Sequence, residues 1–217
     1  MVLHFQLLLS TILYFGAFVC GLMITICLAI IKSNVSVKCF LFSEKPKFVV
    51  ENQDCGKVPI CDFELYLPAI TLLYAFAMTG YHGYAALVAF RDQHIGRTMW
   101  IMPWLLLNSL VTLITFVAAC LFSIGFHSTC LKLTDDDPTK VCSKIFNRAY
   151  KSKKITSFDD YNGAMLVQFT YWASVVLWIG IFIASCIRLM RNIRARSGGT
   201  CDPSSDVRPI AELTPTA

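Results

Sequence analysis

Four stretches of the chain are long and apolar enough to cross a lipid bilayer, and none of them contains Lys, Arg, Asp or Glu. A helix needs about 20 apolar residues to span roughly 30 Å of hydrocarbon. Residues 5–31, 65–90, 98–126 and 163–187 each exceed that length. Only 15% of all residues are charged, against about 25% in soluble domains. The pattern predicts an all-α membrane protein that folds as a four-transmembrane-helix bundle.

The remaining residues are too few for a separate globular domain. We predict one transmembrane domain over residues 1–196, with two loops, 32–64 and 127–162, on one side of the membrane. Residues 197–217 are rich in Pro, Ser and Asp, a composition that predicts a disordered tail. The N-terminal apolar run lacks the basic segment of a signal peptide, so we interpret it as a retained helix.

Local patterns add detail to the connections. Alternating apolar residues from Val35 to Leu41, followed by a second apolar run at 47–50, favour a small β-hairpin in the first loop. The short connection 91–97 predicts that the second and third spans form an antiparallel hairpin. Pro68 is expected in the first turn of the second span, where the N–H that proline lacks has no helical acceptor anyway.

Charge alone gives conflicting evidence on orientation. The two long loops contain twelve Lys and Arg, and the termini with the short connection contain seven. Orientation, however, follows basic residues next to the spans more than totals over long loops. The long loops also contain five cysteines and the sequon that starts at Asn34, and disulfides and N-glycans form in secretory compartments. We therefore expect both termini in the cytoplasm and the protein in the plasma membrane or another secretory-pathway membrane, with Asn34 a candidate glycosylation site.

Small residues recur at helical spacing in all four spans. Lipid provides no hydrophobic drive for helix association, so close approach through small side chains must supply it. The pattern predicts helix-packing faces, inside the bundle or against a partner helix. The residues concerned are Ala17, Gly21, Thr71, Ala75, Thr79, Gly83, Thr112, Ala119, Ser123, Gly180 and Ala184.

The strongest polar side chains within the spans are those of His82, Asn108 and Gln168. An unsatisfied amide in lipid is costly, so we expect Asn108 and Gln168 to bond to each other or to backbone groups. For His82 we favour a neutral imidazole hydrogen-bonded across helices over a pH sensor or a ligand. The alternative for all three is that they line a water-filled path.

The cysteines fall into three classes. Cys39, Cys55, Cys61, Cys130 and Cys142 lie in the two long loops, which implies two disulfides and one odd thiol, with the pairing open. Within the spans, Cys20, Cys27 and Cys120 are interpreted as packing residues. Cys186 and Cys201 are candidate palmitoylation sites.

Other sites are excluded or limited by the pattern. No His, Cys, Asp or Glu group has zinc-ligand spacing, and no acid, base and nucleophile set accompanies the spans, so we predict no metal, no cofactor and no enzymatic activity. The basic residues are not interleaved with aromatic residues, which argues against nucleic-acid binding. We interpret the basic cluster after the fourth span as a membrane anchor, with binding of anionic lipid as the alternative. Its members are Arg188, Arg191, Arg194 and Arg196.

Three segments resemble corresponding segments of the transmembrane protein 179 family. They are Lys38-Cys39-Phe40-Leu41-Phe42-Ser43-Glu44, Ser123-Ile124-Gly125-Phe126 and Gln168-Phe169-Thr170-Tyr171-Trp172-Ala173-Ser174. The four-span layout and the Arg-bearing tail are also similar. Tetraspanins and claudins fit less well, because the Cys-Cys-Gly motif of the first and the Gly-Leu-Trp motif of the second are missing.

The resemblance implies two cysteines in each long loop. It favours the pairs Cys39–Cys61 and Cys130–Cys142, and it leaves Cys55 as the odd thiol. The family has no established enzymatic activity to carry over.

These observations lead to two functional hypotheses. The first is an auxiliary subunit that binds a larger integral membrane protein, such as an ion channel or receptor, through its helix faces and long loops. The second is a pore or carrier that forms by self-assembly, with His82, Asn108 and Gln168 facing water.

Overall fold

The computed structural model describes residues 2–34, 39–42, 58–91, 102–134, 142–143 and 160–197. Within them the chain forms four long helices: α1 (Val2–Asn34), α2 (Val58–Arg91), α3 (Met102–Leu133) and α4 (Asp160–Ser197). Each helix is long and apolar enough to cross a membrane. The predicted all-α, four-span architecture is confirmed.

The two ends of the bundle differ in chemistry. At one end α1 and α3 finish, α2 and α4 begin, and the disulfides Cys39–Cys61 and Cys130–Cys142 lie there. We call it the disulfide end. At the other, the terminal end, α1 begins and α4 finishes. The two disulfide pairs that the family resemblance favours are thereby confirmed.

Three helices extend well beyond the predicted spans. α3 ends at Leu133 rather than at residue 126, so Cys130 is helical. α2 begins at Val58 rather than near residue 65, so Glu64 is helical and Pro68 lies inside the helix. The expectation that Pro68 occupies the first turn is therefore wrong. α4 continues to Ser197, so the segment that contains the Arg cluster is helical. Hydropathy locates only the apolar part of a membrane helix. The predicted spans are too short because these helices continue into polar residues beyond that part.

The helices do not pack equally. α1 packs against both α2 and α4, and α3 packs against α4, whereas α2 and α3 contact each other far less. The expected hairpin of α2 and α3 is therefore antiparallel but loosely packed. The reason is the small-residue face of α2, which turns toward α1 and leaves large side chains such as Ile70, Leu73 and Phe76 exposed.

The predicted small residues lie at these helix contacts. Ala17 and Ala75 are buried, and a Cβ on Gly21 would lie 3.3 Å from the Cβ of Leu72 in α2. The hydroxyls of Thr79 and Thr112 donate to carbonyls one turn earlier in their own helices. The hydrogen-bonding capacity of these hydroxyls is therefore satisfied within their own helices, as is common for threonine. The helix faces on which they lie contribute to association mainly through close packing.

The other predicted packing residues are also placed at contacts or partly buried. Thr71 donates to the carbonyl of Pro68 in its own helix. Ala119 is fully buried in the core, and a Cβ on Gly180 would lie 3.7 Å from Leu13 of α1. Ala184 is partly buried on α4.

The described part of the first loop is not a strand. Residues 39–42 form a turn in which Phe42 adopts a left-handed backbone conformation with φ of 58°. The other residues of the expected hairpin, 35, 37 and 47–50, lie outside the described residues.

Candidate functional sites

The segment 39–42 is sunk into the disulfide end of the bundle. Cys39, Phe40 and Leu41 are buried, and the Phe40 ring packs edge-on against Phe122 of α3 at 6.3 Å. Cys39 is bonded to Cys61 of α2. The first loop is therefore fixed to the bundle by a covalent bond and by apolar burial.

Gly125 of α3 makes room for this segment. A Cβ at that position would lie 2.8 Å from the Phe42 ring and 2.9 Å from a methyl group of Leu41. One turn later, the Thr129 hydroxyl lies 3.0 Å from the carbonyl of Phe40 and 2.9 Å from that of Gly125. Any residue larger than glycine at position 125 would force the side chains of Leu41 and Phe42 to shift from their places on α3.

The three segments that resemble the family meet at this end of the bundle. The first contributes residues 39–42, and the second contributes the surface of α3 on which they lie. The third joins from α4, where Trp172 donates its indole N–H to the Ser123 hydroxyl at 3.2 Å and Tyr171 packs against Phe122 at 5.6 Å. The motifs therefore specify the attachment of the first loop to the bundle.

A proline and a tyrosine meet at the main chain of Glu64. Pro68 has no N–H, so the carbonyl of Glu64, four residues earlier in α2, loses its usual helical donor. Tyr171 of α4 donates its hydroxyl hydrogen to that carbonyl at 3.0 Å. The bond satisfies a backbone acceptor that lipid could not satisfy.

The Glu64 carboxylate is the least expected feature of the bundle. The side chain is only 1% exposed. Neither carboxylate oxygen makes a hydrogen bond of good geometry among the described residues, although the Tyr171 hydroxyl lies near enough to interact with the carboxylate electrostatically. Burial of a carboxylate with so few partners is costly, and ionisable groups inside membrane domains mark functional sites. The second predicted span, 65–90, begins one residue after Glu64, so the sequence analysis predicts this carboxylate in the preceding loop and outside the bundle.

A second polar cluster lies nearer the terminal end, where all four helices contribute. Tyr14 of α1 and Tyr74 of α2 both donate to the side-chain oxygen of Asn108, at 2.9 and 2.8 Å. The Asn108 amide nitrogen lies 3.5 Å from the Ser185 hydroxyl of α4. Asn108 is 1% exposed. We call these four residues, together with the neighbouring Trp178, the Asn108 cluster.

The aromatic rings of this cluster also pack against one another. Tyr74 stacks on Trp178 at 5.8 Å, and Tyr14 meets the same indole edge-on at 6.0 Å. Thr112 extends the contacts, since its hydroxyl lies 3.4 Å from the Trp178 carbonyl. The cluster is a packed and hydrogen-bonded crossing point of the helices.

His82 joins the same region by stacking. Its ring lies 5.2 Å from the Tyr14 ring at an interplanar angle of 13°, and Tyr81 meets it edge-on at 5.4 Å. The imidazole is 9% exposed, and its Nδ1 has no hydrogen-bond partner among the described residues. The link from His82 to α1 is thus a ring contact, and the expected hydrogen bond across helices is not made by Nδ1.

Gln168 does not belong to the Asn108 cluster. It precedes Ser185 by 17 residues on α4, which corresponds to about 25 Å along a helix, and it is only partly buried. Of the two expected alternatives for these amides, the pairing of Asn108 with Gln168 is not made, because the two amides lie near opposite ends of the bundle. Tyrosine hydroxyls supply the donors instead.

The remaining predicted sites are placed as follows. Cys27 is buried, and Cys20, Cys120 and Cys186 are partly buried. Asn34 is the last residue of α1. Cys55 and Cys201 lie outside the described residues. Within the described ranges, no three His, Cys, Asp or Glu side chains are close enough to hold a metal ion.

Sequence reasoning missed Glu64 and the tyrosines 14, 74 and 171. Two signals were available. Glu64 directly precedes an apolar run and lies four residues before Pro68. In a helix, its carbonyl would therefore face a proline and lack the usual N–H donor. Tyrosines in the middle of apolar spans also need partners for their hydroxyls.

The comparisons with known proteins agree with this architecture. The family model described as the Transmembrane protein 179/179B Claudin domain matches residues 6–210. The chain is also 24% identical to Transmembrane protein 179B of Danio rerio over 220 residues, which cover 99% of the chain and 96% of the relative. No solved structure matches. The description of this model relates the family to claudins, so the expectation from the missing Gly-Leu-Trp motif that claudins fit less well is corrected. The chain belongs to the transmembrane protein 179/179B claudin-domain family.

Proposed function

We propose that this protein is a non-enzymatic auxiliary subunit that binds a larger integral membrane protein, such as an ion channel or receptor. It docks through the disulfide end and the helix surfaces beside that end. The observation that carries the proposal is the attachment of the first loop, in which residues 39–41 are buried against the helices and Cys39 is bonded to Cys61.

A segment held in this way, 39–42, is fixed before a partner arrives, which lowers the entropy lost when the partner binds beside it. The second disulfide, Cys130–Cys142, holds the start of the other long loop to the last turn of α3. Both loops therefore leave the bundle from fixed points. A partner protein could therefore recognise the disulfide end by its shape.

The small-residue faces have a different role in this proposal. The faces of α1 and α2 lie against each other, and Gly180 of α4 lies near Leu13 of α1. Because these faces are used inside the bundle, a partner helix has to meet large side chains. Tyr66, 62% exposed on α2 near the disulfide end, is one of them.

The same contacts argue against the pore alternative. Asn108 accepts two tyrosine hydroxyls, and His82 is stacked between aromatic rings. Neither side chain faces the outside of the monomer, where a pore formed between copies would run. Enzymatic chemistry also lacks support, since Glu64 and His82 lie 18 residues apart on α2, about 27 Å along the helix.

The charge distribution supports the expected orientation. The described carboxylates are those of Asp62, Glu64 and Asp160, all at the disulfide end, whereas arginines of α4 lie at the terminal end. Basic residues beside spans favour the cytoplasmic side, and disulfides form in oxidising compartments. Both termini are therefore cytoplasmic in this proposal.

Co-purification with matched variants tests the auxiliary role. The full chain is isolated in mild detergent at native expression, and its complex is sized and identified by mass spectrometry. We expect an integral membrane partner at fixed stoichiometry. Tyr66→Ala should reduce that stoichiometry several-fold, because it truncates an exposed ring near the proposed interface.

Tyr84→Ala is the matched control, because Tyr84 is a 69% exposed tyrosine on the same helix near the terminal end. It should leave the partner bound. A protein that elutes alone would contradict the auxiliary role, and a complex lost with Tyr84→Ala but retained with Tyr66→Ala would contradict docking at the disulfide end.

A further inference from the structure

The terminal end of the bundle is positively charged. Arg188, Arg191 and Arg194 follow one another at three-residue spacing on α4, which places them along one side of the helix. Among the described residues, no Asp or Glu lies in this half of the bundle. An anion near this end would therefore be attracted by several arginines.

Arg188 differs from the two arginines that follow it. Arg191 and Arg194 are exposed, whereas Arg188 is partly buried and interacts electrostatically with Tyr81 and His82 of α2. Its partial burial restricts this side chain more than those of Arg191 and Arg194. A cation in a fixed position can recognise one charged group, whereas mobile surface arginines only raise the local positive potential.

The helix surfaces beside Arg188 are open to lipid. α2 and α3 pack loosely, and one of their contacts in this half is between the rings of Tyr81 and Trp104 at 5.8 Å. A Cβ on Gly80 would meet nothing within 4 Å. In a bilayer such surfaces are covered by acyl chains, and Trp and Tyr rings favour the level of the headgroups.

We infer that the terminal end holds an anionic phospholipid, with its phosphate on Arg188 and its chains along the loosely packed faces of α2 and α3. Arginine suits this ligand because its planar fork can donate two parallel hydrogen bonds to phosphate oxygens. Arg191, one turn further along α4, adds to the attraction from the bilayer surface. The apolar surroundings select a lipid over a free phosphate ion, because only a lipid covers the exposed faces.

Native mass spectrometry of the delipidated full chain tests this site. The protein is titrated with phosphatidylserine or with phosphatidylcholine of the same acyl chains. The wild type should bind phosphatidylserine at least about tenfold more tightly. Arg188→Lys keeps the charge but loses the fork, and it should weaken phosphatidylserine binding about tenfold. Arg194→Lys is the matched control and should bind like the wild type.

Three results would overturn the site. Both lipids contain a phosphate and differ in the net charge of the headgroup, so equal binding would show that the site does not select an anionic headgroup. Unchanged binding in Arg188→Lys would show attraction by surface charge without a fixed position. Displacement of the lipid by an equal concentration of inorganic phosphate would identify a free anion as the ligand.

A photoactivatable phosphatidylserine analogue gives a second test on the wild type alone, which matters if Arg188→Lys fails to fold. Its crosslinks should concentrate in 80–84 of α2, 102–106 of α3 and 185–191 of α4. Crosslinks distributed evenly along the four helices would contradict a site at the terminal end.

Discussion

Tyr171 of α4 donates its hydroxyl to the main-chain carbonyl of Glu64 in α2, across a separation of 107 residues in sequence. The bond takes the place of the helical N–H that Pro68 lacks. Two helices at the disulfide end are therefore connected at the point where one of them is interrupted. The hydroxyl of Tyr171 in α4 supplies the hydrogen-bond donor that is missing in α2.

The first prediction concerns this pair. Tyr171→Phe should lower the free energy of unfolding in micelles by about 1–2 kcal/mol, because a buried carbonyl loses its donor. In a Pro68→Ala background the helix supplies an N–H, so the same change should cost less than about 0.5 kcal/mol. Tyr66→Phe, at an exposed tyrosine, is the control. Equal costs in the two backgrounds would refute the coupling.

The second prediction concerns the Glu64 carboxylate. Glu64→Gln keeps the shape of the side chain and removes a charge whose burial is costly, so at alkaline pH, where the carboxyl group is ionised, it should raise the free energy of unfolding by about 1–3 kcal/mol. Asp62→Asn is the matched change at an exposed carboxylate that pairs with Lys32 at 3.1 Å, and it should change stability by less than about 1 kcal/mol. Thermal unfolding of both variants measures the difference; destabilisation by Glu64→Gln would show that the carboxylate has a partner.

The third prediction concerns the Asn108 cluster. Asn108→Leu leaves the hydroxyls of Tyr14 and Tyr74 without their acceptor and should destabilise the bundle by about 2–4 kcal/mol. Adding Tyr14→Phe and Tyr74→Phe removes the orphaned hydroxyls and should restore much of the loss, which denaturant titration in micelles measures. Gln168→Leu should have an effect below about 0.5 kcal/mol. Equal losses from Asn108→Leu and Gln168→Leu would contradict the assignment.

The fourth prediction compares two glycines. Gly125→Ala places a methyl group against the side chains of Phe42 and Leu41, so these side chains must shift; this should loosen the packing of 39–42 and let reductant open Cys39–Cys61 at a lower concentration. Overpacking of this kind costs about 1–3 kcal/mol. Gly80→Ala meets open space and should stabilise α2 by about 0.5–1 kcal/mol. Thiol labelling after graded reduction measures the first effect; equal sensitivity of both variants would refute the packing of 39–42 on α3.

The sequence predicted the features that depend on local pattern. Hydropathy located all four spans, and the family pattern of cysteines predicted both disulfide pairs. Periodicity also located small residues such as Ala75 and Ala119, which the structure buries. These features depend on residues that are close in sequence or on a pattern shared by the family.

Contacts between distant helices could not be read in the same way. A hydropathy boundary falls at the first charged residue and so leaves Glu64 in a loop, although the helix continues through it. The sequence offers Asn108 either Gln168 or backbone groups as partners, because only the bundle geometry decides which donors lie at the same depth. The donors to the Asn108 side chain are tyrosine hydroxyls that lie 94 and 34 residues away in sequence.

Photo-crosslinking in native membranes tests the auxiliary role most directly. A photoreactive amino acid is introduced at position 66 in one variant and at position 84 in another, both exposed sites on α2. We predict that position 66 crosslinks in high yield to one integral membrane protein and that position 84 crosslinks mainly to lipid. Crosslinking of position 66 to lipid alone, in membranes where the protein is natively expressed, would contradict a partner at the disulfide end.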